Sequence, residues 1–134
     1  MAQSCFDPNR YKWREVTGEP GLTYKVRHDY TILGYDLSAG TLDMLVRWAG
    51  DGGHCPIHRH TATTTVLVLE GEQHLWDLHP DGSRGEQRVR RAGDYALTVG
   101  DALPTSSAAE RRAASPSSEI TPATVTSTRF STKT

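Results

Sequence analysis

The sequence predicts an all-β domain, a small antiparallel sandwich or barrel, and three observations carry that reading. Short runs rich in Val, Leu, Thr and aromatic residues recur between residues 22 and 99. Turn residues punctuate them at GEPG (18–21), SAG (38–40), AGDGG (49–53), PDGSRG (80–85) and AGD (92–94). No segment holds a 3.6-residue apolar period for more than two turns, so helices are expected to be minor.

The expected strands, in order, are LTYKV (22–26), TLDMLVRW (41–48), TTVLVLE (64–70), EQHLWDL (72–78), EQRVRR (86–91) and YALTV (95–99). TTVLVLE has apolar residues on both alternating faces, which predicts a strand buried on both sides. Gly71 separates it from EQHLWDL, whose inward residues are then Gln73, Leu75 and Asp77, with His74 and Trp76 facing away. A slip of one residue across that turn would reverse the assignment. In PDG (80–82) Pro fixes φ and Gly supplies a positive one, a good turn. Arg88, Arg90 and Arg91 form the one basic run and read as a solvated strand edge. Trp13, Trp48 and Trp76 read as core or interface anchors.

Length and charge narrow the rest. A chain of 134 residues suits one domain, and a formal net charge of −1 gives no support for nucleic-acid or membrane-surface binding. The two cysteines, Cys5 and Cys55, imply no disulfide framework and fit a reduced cytoplasmic setting. No apolar h-region opens the sequence, and no apolar run approaches the roughly 20 residues of a membrane helix. Residues 105–134 differ from the rest: Ser, Thr, Ala and Pro dominate, with Ile120, Val125 and Phe130 the large apolar residues. Such a stretch buries too little apolar surface to offset its ordering entropy. The expected organisation is therefore a β-domain over 1–104 and a disordered or weakly attached tail over 105–134, in which AAERRAA could form a helical turn.

The chemistry centres on GHCPIHRHTATTTVLVLEGE (53–72). On a strand, His58 and His60 share a face, so their imidazoles can reach one metal ion. Ala62, Thr64, Val66 and Val68 continue that face, and Thr65, Leu67 and Leu69 occupy the other. An H-x-H pair alone is a weak signal, more often structural than ligating. Cys55 is either a further soft ligand or a small packed hydrophobe. His74 becomes a third ligand if the strand phase slips, His79 sits exposed before the turn, and His28 is a turn or edge residue.

The stretch GDGGHCPIHRHTATTTVLVLEGE resembles the first motif of the cupins, with Gly52, His58, His60 and Gly71 at the family's glycine and histidine places. AGDYALTVGDALP (92–104) is similar to the start of the second cupin motif through Gly93 and Asp94. GLTYKVRHDY and TLDMLVRWAGDGG look like the strands that lead into the first motif of ChrR-type cupins and of acetylacetone- or dihydroxyacetophenone-dioxygenase-type cupins.

The resemblance implies a small double-stranded β-barrel, or jelly roll, often dimeric. It implies a divalent metal on His58 and His60, with Fe(II) ahead of Zn or Mn, and oxidative cleavage of a carbon–carbon bond beside the carbonyl of a small substrate. Two departures qualify it. Thr64 stands where the family has a glutamate, and Pro104 and Thr105 stand where a further histidine is expected. Either the barrel is truncated after residue 104 or a reading-frame shift has replaced its closing strands. Both alternatives predict an incomplete metal site and a chain that is weakly active or inactive. The alternative function is a non-enzymatic sensor or dimerisation module resembling the ChrR cupin portion.

Overall fold

The computed structural model describes residues 7–49, 53–55, 58, 60–100, 105–109 and 124–131. They form a 3-10 turn (Pro8–Arg10) and nine strands: β1 (Arg14–Thr17), β2 (Arg27–Asp36), β3 (Thr41–Trp48), β4 (Thr63–Glu70), β5 (Glu72–Leu78), β6 (Arg84–Arg91), β7 (Tyr95–Thr98), β8 (Thr105–Ala109) and β9 (Thr124–Ser131). Two antiparallel sheets result, one ordered β1-β2-β3-β9-β4-β7 and the other β6-β5-β8. The fold is all-β, and its two sheets do not close into a continuous barrel. Among the described residues no helix is long and apolar enough to cross a membrane.

The chain passes from one sheet to the other at Gly71, whose φ of 73° is the left-handed region that glycine enters without strain. One residue thus joins β4 of the six-stranded sheet to β5 of the three-stranded sheet. AGD forms a matching turn: Val68 N–H donates to Asp94 O at 3.0 Å and Gly93 N–H donates to Val68 O at 2.8 Å. PDG also turns as expected, with Gly82 N–H donating to His79 O at 2.9 Å. Past β7, Gly100 lies against the backbone of Thr61, where an added Cβ would stand 2.5 Å from the Thr61 carbonyl oxygen.

Three expectations are corrected here. The strand expected at 22–26 begins at Arg27 instead, and β1 was not anticipated. Only Val26 of that run pairs, through an isolated bridge to His54. The stretch expected to be a disordered tail supplies two strands. β9 lies in the middle of the six-stranded sheet, with Asp43 opposite Arg129 on one side and Thr65 opposite Arg129 on the other. β8 pairs with β5 from Gln73↔Ala109 to Asp77↔Thr105. Counting large apolar residues missed β9 because a strand flanked on both sides satisfies its backbone through its neighbours, and Thr and Val suit such a position. Ala108 and Ala109 are strand residues rather than part of a helical turn, and residues 110–114 of that turn lie outside the described residues, as do Cys5, Gly52 and Pro104.

The third correction concerns β4. Its inner face is buried as expected, with Thr64 at 2% and Val68 at 1% exposure. Its outer face is not covered: Leu67 is 37% exposed, and Tyr95 and Leu97, opposite Leu67 and Thr65 on β7, are exposed too. One-sided burial is what an antiparallel sheet permits even when both faces are apolar. The core between the sheets includes Trp48, Val68, Leu75 and Leu78.

Candidate functional site

Between the sheets lies a cavity of about 550 Å³. Met44, Val46, Val66, Leu75 and Phe130 give it apolar walls, while His28, His58, His60, Thr64, Gln73, Asp77, Arg88 and Arg90 give it polar groups. Met44, Val46 and Trp48 of β3, Thr64 and Val66 of β4, and Thr128 and Phe130 of β9 point inward, as strand alternation requires. β9 therefore closes the cavity with Thr128 and Phe130.

His58 and His60 meet inside it. Their Nε2 atoms are 2.9 Å apart, and the rings stand edge to face with centroids 4.6 Å apart. His60 stacks on Phe130 at 5.5 Å with planes 18° apart. On its other side, His60 Nδ1 lies 3.1 Å from Thr64 Oγ1, and that hydroxyl donates to Ala62 O at 3.2 Å. With its hydrogen committed to Ala62, Thr64 accepts from His60 Nδ1–H, which leaves the Nε2 lone pair of His60 facing His58. Thr64 thus fixes the orientation of the His60 ring. Burial pushes the His60 imidazole below its ordinary value, with smaller contributions from the charges of His58 and Arg90. A neutral imidazole is the form that binds a metal.

Two imidazole nitrogens held at about 2.1 Å from one ion and at right angles would stand about 3.0 Å apart. The pair fits that requirement. Among the described residues no third His, Cys, Asp or Glu joins it in a group able to hold an ion. His58 and His60 are thus the described residues that would hold a divalent ion, at two of its positions.

The remaining candidates separate cleanly. His74 is buried on the far face of β5, with Nδ1 2.8 Å from Gln87 Nε2 and its ring beside Trp76, so the phase expected from Gly71 holds and His74 faces away from the cavity. Gln73, Leu75 and Asp77 line the cavity as that phase requires. Cys55 packs with Trp48 as a small hydrophobe. His79 is exposed.

His28 is a correction: it sits on β2, lines the cavity beside Trp48, and carries a buried Nδ1 that has no hydrogen-bond partner among the described residues. Burial lowers its pKa, and His58 lies near enough for its charge to lower it further. The basic run is the other correction. Arg91 is exposed, but Arg88 and Arg90 alternate onto the inner face of β6 and line the cavity. Their i, i+2 spacing opposite Leu75 and Gln73 was the available signal.

No protein-family model matches the sequence, and no curated protein matches it. Solved structures do match. A cupin 2 conserved barrel domain protein from Rhodopseudomonas palustris aligns with a TM-score of 0.67 at 11% identity, covering 96% of this chain and 78% of that one. The structure of Rhodobacter sphaeroides SigE in complex with the anti-sigma ChrR aligns with a TM-score of 0.62 at 18% identity over 92% of this chain and 51% of that one. Fe(II)-HppE with the alternative substrate (S)-1-HPP gives a TM-score of 0.61 at 13% identity over 89% and 56%. The chain spans about half the length of these last two. What it shares with them is a fold, that of the cupins.

Proposed function

We propose that this cupin fold holds a divalent ion, Fe(II) first and Zn or Mn as alternatives, on Nε2 of His58 and His60, and that its cavity takes a small carbonyl compound. The convergence of the two Nε2 atoms inside a mostly apolar cavity carries this reading. An ion there would supply Lewis-acid polarisation of a carbonyl oxygen or, as iron, dioxygenase-like cleavage of a bond beside it. The chain's own residues do the rest. Thr64 holds the His60 tautomer, Phe130 fixes its ring plane, and Val66, Met44 and Leu75 exclude water. Two protein donors, with Thr64 in place of a carboxylate, make the site weak, so turnover is slow or absent.

Titration of the metal-free chain with Co(II), followed in the visible spectrum and by metal analysis, tests this. The expected result is weak one-to-one uptake, lost in His58→Ala and His60→Ala and weakened about 10- to 100-fold in Thr64→Val. Uptake that is unchanged in His58→Ala would overturn the proposal.

The likeness to the ChrR structure favours a second reading, a non-enzymatic sensor or dimerisation module that contacts another protein. A chain that takes up no metal and shows no turnover, but forms a stable dimer, would favour it over the first.

A further inference from the structure

We propose that the occupant of the cavity is a small organic carboxylate, its charged end paired with Arg90 and its apolar body lying against Val66, Leu75 and Phe130. The inference deepens the reading of the same cavity and relies on the histidine pair only for the ligand's second anchor.

Arg90 differs from the arginines that hold ion pairs. Arg27, Arg47, Arg88, Arg91 and Arg129 each contact a carboxylate. Arg88, across from Leu75, holds Asp77 where both are partly open to solvent. Arg90 is one step further along the inner face, opposite Gln73, and half-buried. Its Nη1 donates to the neutral Gln73 Oε1 at 3.3 Å, and among the described residues no carboxylate lies within ion-pair reach of it. Asp77 acts on Arg90 only at longer range, and less than burial and the charge of Arg88 act against it; burying a cation without an adjacent counter-charge costs free energy that an incoming anion would recover.

The surroundings favour the same sign. Arg90 is close enough to His60 for its charge to lower the imidazole's pKa, and the cavity's one described acid, Asp77, is already engaged by Arg88. A planar guanidinium with free N–H groups matches a carboxylate in two parallel hydrogen bonds. The walls around it are apolar, which excludes a bare inorganic ion as the best-fitting occupant and favours an acid with a hydrocarbon or aromatic body.

The test compares phenylacetate with its neutral isostere phenylacetamide, titrated calorimetrically into the full chain in the presence of a metal chelator. Phenylacetate is expected to bind about tenfold or more tightly, a preference that shrinks as salt rises. Arg90→Gln should remove the preference and Arg90→Lys should keep part of it. The salt dependence in the unaltered chain needs no variant to fold. Equal affinity for the two compounds, no binding of either at millimolar concentration, or a preference that survives in Arg90→Gln would each overturn the inference. The two proposals fail separately. A chain that binds no Co(II) yet prefers phenylacetate loses the metal reading alone, and one that binds Co(II) through His58 but ignores the carboxylate loses this inference alone.

Discussion

The outer face of the six-stranded sheet and the cavity on its inner side treat charge in opposite ways. Outside, every cross-strand cation meets an acid. Arg129 grips both oxygens of Asp43 at 2.6 and 2.9 Å, and Asp29 bridges Arg27 and Arg47. Inside, among the described residues, three imidazoles and Arg90 gather with Asp77 as the one carboxylate, and Arg88 already occupies it. Exposed pairs of the outer kind contribute roughly 0.2–1 kcal/mol each, so the outer arrangement says little about stability. It does show that the chain supplies acids readily where no ligand is needed. The missing acid inside is then a property of the site.

The comparison can be broken at its foundation by removing the strand both faces share. A chain ended at residue 123 loses β9, which separates β3 from β4. The cooperative urea transition should disappear along with the cavity. A transition of unchanged midpoint would mean that β9 does not hold the sheet together. A smaller effect distinguishes the faces themselves. Trp48, 2% exposed on the cavity side, should cost about 3–5 kcal/mol on replacement by Ala. Leu97, 58% exposed on the outer face, should cost no more than about 0.5 kcal/mol. Equal losses in urea titrations would erase the asymmetry.

The smallest effect is in pH. Burial is the leading cause that pushes His28, His54 and His60 below the ordinary imidazole value of about 6.5. Below that value the unfolded chain takes up protons that the folded chain refuses. Stability is therefore complete above about pH 6.5 and declines as pH falls through it toward the lowered values. A midpoint that stays flat between about pH 6.5 and 5 would contradict the burial of these rings.

How much of this was legible depends on the residue. β4 and β5 were readable because Val, Leu and Thr alternate on either side of Gly71, and the phase of Gln73, Leu75 and Asp77 followed from that one glycine. β9 was not, since TVTSTRFS has few large apolar residues and owes its place to neighbours far earlier in the chain, Asp43 and Thr65 opposite Arg129 among them. The His58–His60 pair was visible as a spacing. Its geometry was not, because the stacking of Phe130 and the orienting bond from Thr64 exist only once the sheet forms. His28 and Arg90 were missed for a simpler reason: a single polar residue on a strand faces in or out by phase, and in β2 the start was misplaced while in β6 the charge itself argued for solvent.

Gly100 has a consequence that reaches beyond packing. It touches Thr61, the residue after His60, so closely that one methyl group would drive the backbone apart. The tip of β7 is therefore a mechanical stop behind the histidine pair. Gly100→Ala would act as a wedge, shifting the reach of His60 without touching metal, anion or any residue of the cavity wall. In mutational terms the histidine pair has a remote adjustment point, and a change there would move His60 in a protein whose cavity residues are all intact.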